Sequence, residues 1–189
     1  MNILAHLYLS NEIDLVMLGN YMGDFVKGKQ YLNYPAEVQK GILLHRQIDV
    51  FTDNHPLHKK SRDHFRSAYG LYTGIVTDIV YDHYLAINWY RYHSSPLTDY
   101  AENVYRFINQ HGEILPDQLK NLTPYMINNN WLVLYSQISG IERVLNGMSR
   151  NTSLPDKTKF AVNIIENMYY ELQEEFTQFF EEIRKSVSF

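Results

Sequence analysis

His6, Asp24, His45, Asp49, Asp78, Asp82 and His83 concentrate imidazole and carboxylate groups in the first 83 residues. Two of the groupings have i,i+4 spacing on otherwise apolar stretches: His45 with Asp49 in GILLHRQIDVF, and Asp78 with Asp82 in IVTDIVYDHYL. A helical residue advances about 100°, so positions four apart lie about 40° from each other and share a face. Carboxylates and imidazoles are rarely buried unless they are paired or bind a metal. The chemistry this spacing supports is therefore coordination of a divalent cation by mixed nitrogen and oxygen donors.

With His45 set at 0°, Asp49 falls near 40°, Ile42 near 60° and Ile48 near about −60°, so aliphatic residues flank the polar pair and the face points inward. His45 can ligate through one ring nitrogen, and Asp49 can ligate beside it or orient the ring. Arg46, about 100° round, offers a planar fork for phosphate. Asp78 and Asp82 share a stripe with Leu85 and Trp89, where two carboxylates repel unless a cation lies between them. His83 is about 100° from Asp82, so an ideal helix cannot aim both at one centre. Asp24, in LGNYMGDFVKG, has Asn20 four residues before it and Gly19 and Gly23 leaving room for close backbone approach. Asp24 and His6 matter to the site only if the fold brings them to the other groups. The expected metal ligands are Asp24, His45, Asp78 and Asp82. Arg46, Asp49, His83 and His6 are the expected catalytic groups. His55, His58, His64, His93 and His111 lie in polar or loop contexts and read as surface residues.

Other chemistries lack their signatures. There is no G-x-S-x-G, no Walker-type loop, no G-x-G-x-x-G and no H-E-x-x-H. The absence of cysteine excludes disulfides, thiol nucleophiles and cysteine-ligated zinc or iron–sulfur centres. A net charge of −4 disfavours broad nucleic-acid binding. The one basic run, HKKSRDHFR with Lys59, Lys60, Arg62 and Arg66, reads either as a solvated helix face or as a docking patch for an acidic partner. No apolar run approaches the ~18 residues that span a membrane, and the N-terminus shows no signal-peptide pattern. A cytoplasmic protein is expected.

The elements that must hold these groups are helices. Start and stop signals place them at about Ile3–Leu9, Glu12–Val26, Pro35–Thr52, Pro56–Tyr69, Thr73–Tyr92 and Leu97–Gly112. An interrupted segment follows over Pro116–Tyr135, since Pro124 and Asn128-Asn129-Asn130 are poor helix formers. A short helix over Ile138–Met148 precedes a long one over Pro155–Lys185. The 3–4 spacing of Ile165, Met168, Tyr169, Leu172, Phe176, Phe179, Phe180 and Ile183 marks a stripe for the core or a dimer. At 189 residues with no repeat or linker, one all-α domain is expected over the whole chain.

Taken together, MNILAHLYLS, LGNYMGDFVKG, GILLHRQIDVFTDNHP, TDIVYDHYL with Trp89, and VLNGMSR at 144–150 resemble the bacterial acyl carrier protein phosphodiesterases, in order and over nearly the whole chain. The resemblance implies an all-helical bundle distantly related to HD-domain metal-dependent phosphohydrolases. It also implies a divalent metal, typically Mn²⁺ with Mg²⁺ or Fe²⁺ as alternatives. The implied substrate is holo acyl carrier protein, cleaved at the phosphodiester between 4′-phosphopantetheine and serine. Asp24, His45, Asp49, Asp78, Asp82 and His83 are the positions matched to its motifs. The chain departs from the wider HD pattern: Arg46 follows His45, and Asp82 precedes His83. Two other functions fit the same residues: a phosphohydrolase of nucleotides or other small phosphoesters, and a non-catalytic helical binding module.

Overall fold

The computed structural model describes residues 1–187. Among them the chain is all-helical: α1 (Ile3–Tyr8), α2 (Leu15–Met22), α3 (Ala36–Asn54), α4 (Pro56–Tyr69), α5 (Thr73–Ile87), α6 (Leu97–Gln110), α7 (Asp117–Asn128), α8 (Trp131–Leu134), α9 (Ile138–Asn151), α10 (Thr158–Asn167) and α11 (Tyr169–Ser186). They enclose one apolar core that includes Leu4, Leu18, Ile42, Val80, Leu172 and Phe179, all fully buried.

Local chemistry explains where the observed helices differ from the expected ones. The second helix starts later, because Asp14 caps it by accepting from the amides of Val16 and Met17 at 2.8 and 3.0 Å. It also ends earlier, and a 3₁₀ turn over Gly23–Phe25 carries Asp24. The fifth helix stops at Ile87, where Asn88 turns its side chain back to the Tyr84 carbonyl at 2.8 Å. Pro124 is tolerated inside α7, and the interruption falls at Asn129-Asn130, with Asn130 at φ +48°. The expected C-terminal helix divides at Met168 into α10 and α11, and its stripe packs inward, with Leu172, Phe176, Phe179, Phe180 and Ile183 fully buried.

Two contacts between elements position the chemistry. The most extensive helix contact is between α2 and α3. It is close because a Cβ on Gly41 would overlap the Val16 carbonyl oxygen, and a Cβ on Gly19 would overlap that of Val38. The second contact joins α5 to α1. Asp82 is fully buried and accepts from the Leu4 and Ala5 amides at 2.8 and 3.0 Å, satisfying donors that a helix N-terminus leaves open. α1 is thereby fixed with His6 facing α2 and α3.

Candidate metal centre

His6 on α1 and His45 on α3 stack ring on ring, with centroids 3.9 Å apart and planes 13° apart. Asp49, one turn along α3, bridges them. Its Oδ1 lies 3.2 Å from His6 Nε2 and its Oδ2 lies 3.1 Å from His45 Nε2. Asp24 reaches in from the 3₁₀ turn, 3.4 Å from His45 Nε2, with 73 % of its side chain exposed. Gly23 makes the approach feasible, since a Cβ there would overlap the His45 ring.

The outer ring nitrogens are already engaged. His6 Nδ1 lies 2.8 Å from Asn20 Oδ1, and His45 Nδ1 lies 2.8 Å from the Asn20 carbonyl oxygen. Both Nε2 atoms are left facing oxygens. His45 Nε2 is buried with no hydrogen-bond partner, because neither nearby carboxylate lies in a hydrogen-bonding direction. His6 Nε2 faces the Met1 main-chain oxygen at 3.2 Å as well as Asp49. His6, His45 and Asp49 can each aim one ligand atom at a common point, these atoms lying within 4.8 Å of one another. Two imidazole nitrogens, one of them buried and unsatisfied, and a carboxylate are a donor set that fits a divalent cation.

The electrostatics agree with this arrangement. Burial pushes the His6 pKa down, outweighing the attraction of Asp49. Burial would also lower His45, but Asp24 and Asp49 beside it raise it to about 9. Burial acts to raise Asp49, yet the two histidines hold it well below the usual carboxylate range. Asp24 is lowered by His45.

The expected four-residue convergence of Asp24, His45, Asp78 and Asp82 is not the arrangement present. His6 joins His45, Asp49 and Asp24, while Asp78 and Asp82 serve neighbouring contacts. Asp78 lies 2.9 Å from His58 Nε2 and 3.4 Å from the Met1 amino nitrogen, which also approaches Asp49 at 3.7 Å. Asp82 is occupied by α1, and burial raises its pKa to about 7. His83 is buried away from the cluster, its Nδ1 donating to the Tyr135 carbonyl at 2.7 Å, and burial lowers its pKa.

Arg46 does not present an open fork. Its Nη2 donates to the carbonyls of Val26 and Gly28 at 2.9 and 2.8 Å, and its guanidinium lies over the Tyr31 ring. It ties down the segment that follows Asp24. The basic run is largely neutralised by its own neighbours. Lys60 pairs with Glu171 and Glu175 at 3.1 and 2.9 Å, Arg66 with Asp63 at 2.5 Å, and Arg62 with Asp53 at 3.9 Å, while Lys59 donates to the Asn54 carbonyl at 3.1 Å. These pairs favour the solvated-face reading over the docking patch.

Two histidines read as surface residues are buried. His58 is fully enclosed against Asp78, and His55 caps α4 by accepting from the Leu57 amide at 3.2 Å. His58 was findable, since it shares the 3–4 spaced face of Ser61 and Phe65, both fully buried. In the sequence Asn20 stands out only as a neighbour of Asp24. Its role depends on two other helices and has no local signature.

A cleft of about 140 Å³ opens on the cluster, bordered by Ile3, Tyr21, Phe25, Leu119 and Leu122 together with His6, Asp24 and His45. A larger depression of about 310 Å³ is lined by other residues, including Tyr8, Asn11 and Glu181, and contains no histidine.

An all-helical fold with an imidazole and carboxylate cluster beside a cleft defines a candidate hydrolase scaffold. The chain matches the acyl carrier protein phosphodiesterase family over residues 1–183, and it belongs to that family. It is similar to proteins named acyl carrier protein phosphodiesterase from Photorhabdus laumondii (34% identity, covering 95% of this chain and 91% of the relative), from an Enterobacter species (36%, 95% and 94%) and from Klebsiella pneumoniae (35%, 98% and 96%). No solved structure matches the chain. Among the described residues, no helix is long and apolar enough to cross a membrane.

Proposed function

We propose that this protein hydrolyses the phosphodiester joining 4′-phosphopantetheine to a serine of holo acyl carrier protein, releasing apo acyl carrier protein and 4′-phosphopantetheine. The observation that carries the reading is the bridging by Asp49 of His6 and His45, two residues that line a cleft, in a chain of this family. The reaction is placed in the cytoplasm, where the carrier is used.

His6, His45 and Asp49 would hold the cation, and their mixed donors suit Mn²⁺, with Mg²⁺ or Fe²⁺ as alternatives. When bound, a divalent cation supplies Lewis-acid stabilisation of phosphate charge and lowers the pKa of water. Asp24 is the most solvent-open carboxylate of the group, and its lowered pKa keeps it ionised near neutrality. It accepts the proton as water attacks phosphorus. The bond from phosphorus to the serine oxygen breaks, and that oxygen leaves protonated, taking a proton from solvent while Asp24 returns its own to solvent. Arg46 acts on Asp24 through the Val26–Gly28 segment. The walls formed by Phe25, Leu119 and Leu122 suit the slender pantetheine arm, while a folded carrier must stay outside a cleft of this size. Outside it, Lys27 and Lys29 are exposed beside Asp24 and make no ion pair among the described residues, which suits an acidic carrier surface.

A gel-mobility assay of purified protein with holo acyl carrier protein tests the reading. Conversion to the apo form with Mn²⁺, and none with a chelator, is expected. Absence of conversion with any of the three cations would refute it, and turnover of free nucleotides alone would favour the small-phosphoester function.

A further inference from the structure

We infer that Asn20 is the positioning residue that commits both histidines to presenting Nε2 at the cation site, His6 through the Asn20 side chain and His45 through its backbone. This rests on the cation reading of His6, His45 and Asp49.

Asn20 lies in the last turns of α2 and is fully buried. Its Nδ2 donates to the His6 carbonyl at 2.7 Å and to Ser10 Oγ at 2.8 Å. Ser10 Oγ in turn donates its own hydrogen to the His6 carbonyl at 3.0 Å, so towards Asn20 it accepts. These contacts fix which end of the amide is nitrogen. Oδ1 must therefore face His6 Nδ1, and an amide oxygen only accepts, so the ring hydrogen of His6 resides on Nδ1. The Asn20 carbonyl is also only an acceptor and imposes the same tautomer on His45. With the Nδ1 hydrogens committed outward, Nε2 is the atom whose lone pair each neutral ring presents to the Asp49 side, at 3.2 and 3.1 Å from its oxygens. The Met1 carbonyl oxygen also faces His6 Nε2, at 3.2 Å, a longer contact than the 2.8 Å from Nδ1 to Asn20 Oδ1. Lone pairs aimed at a carboxylate repel it, and a cation among them reverses the sign of that interaction. Asparagine suits this position because it supplies two donors and one acceptor from one short side chain. Aspartate retains the acceptor and loses both donors, and leucine loses all three. The Gly19–Gly41 approach of α2 to α3 sets the Asn20 carbonyl within reach of His45.

The test uses full-length protein labelled with ¹⁵N at histidine. Long-range ¹H–¹⁵N spectra are recorded without metal and with Zn²⁺, a diamagnetic probe, and Mn²⁺ affinity is measured by electron paramagnetic resonance of the free ion. Wild type is expected to show hydrogen on Nδ1 of both rings when Zn²⁺ is bound. Asn20→Leu is expected to lose the Nδ1–H signature of His6, keep that of His45, and bind Mn²⁺ about 10–100-fold more weakly. Asn20→Asp, which keeps the acceptor, should restore the His6 signature in part; if the leucine variant does not fold, Asn20→Ala, which likewise removes the acceptor, carries the test. Failure of wild type to bind Mn²⁺ would overturn the cation site itself. Mn²⁺ binding by wild type together with an unchanged His6 signature and affinity in the folded leucine or alanine variant would overturn the Asn20 inference alone.

Discussion

Asp49 stands between His6 and His45 with one carboxylate oxygen toward each ring, 3.2 Å from one Nε2 and 3.1 Å from the other. The stacked rings lie too close for both to carry charge at low cost, and the fold divides the roles. Burial keeps His6 neutral, while Asp24 and Asp49 hold the His45 ring cationic in the metal-free protein.

That division sets a pH dependence. The His45 pKa is raised to about 9 from an ordinary value near 6.5, so its contribution to stability is full below about 6.5 and is lost as pH rises through about 9. Metal-free protein should therefore lose melting temperature between pH 7 and pH 9, and His45→Gln should flatten that slope. Cation binding needs the neutral ring, so the stabilisation by Mn²⁺ should grow over the same range. Melting curves with and without Mn²⁺ across this interval check both signs.

Asp82→Ala should act on the fold rather than on the centre. It strips the acceptor from two buried amides of α1, each costing about 1–3 kcal/mol when left unsatisfied. The melting temperature should fall, and Mn²⁺ affinity of the protein that remains folded, measured well below its melting point, should stay within about threefold of wild type, a small change beside the tenfold or more expected of a lost supporting contact.

Gly23→Ala and Gly41→Ala should separate the centre from the helix contact that supports it. A methyl at 23 meets the His45 ring, and one at 41 meets the Val16 carbonyl. The first should lower Mn²⁺ affinity about 10-fold or more with a smaller loss of stability. The second should cost about 1–3 kcal/mol in stability by overpacking α2 against α3. Titration with Mn²⁺ and chemical denaturation of each variant give the comparison.

Asp24→Asn should retain the cation and lose turnover. The amide keeps the size of the side chain and removes its capacity to take a proton. A fall of about 10²–10⁴-fold in kcat with little change in Mn²⁺ affinity is expected. A proportionate loss of affinity would return Asp24 to the ligand set.

Carrier docking should follow the unpaired cations. Lys27→Glu with Lys29→Glu should raise the KM for holo acyl carrier protein and flatten its dependence on salt. Lys60→Glu should instead weaken the tie between α4 and α11 through Glu171 and Glu175, seen as a lower melting temperature with an unchanged KM.

The sequence by itself determined the helical class, most helix boundaries and the pairing of His45 with Asp49, because these follow from periodicity and i,i+4 spacing within one element. It also marked Asp24 and His6 as groups whose meaning depended on where the helices met. Only the tertiary structure decided that meeting. The 3–4 spacing that set Asp78 and Asp82 on one stripe of α5 could not say which neighbours that stripe meets. Asp78 faces His58 on α4, and Asp82 faces the free amides of α1. The same limit hid Asn20, whose side chain and carbonyl each hold a ring from a different helix. Helical periodicity fixes the direction of a side chain relative to its own axis. What it touches depends on how axes pack, and here that is set by close glycine contacts between α2 and α3 and by buried donors that must find acceptors.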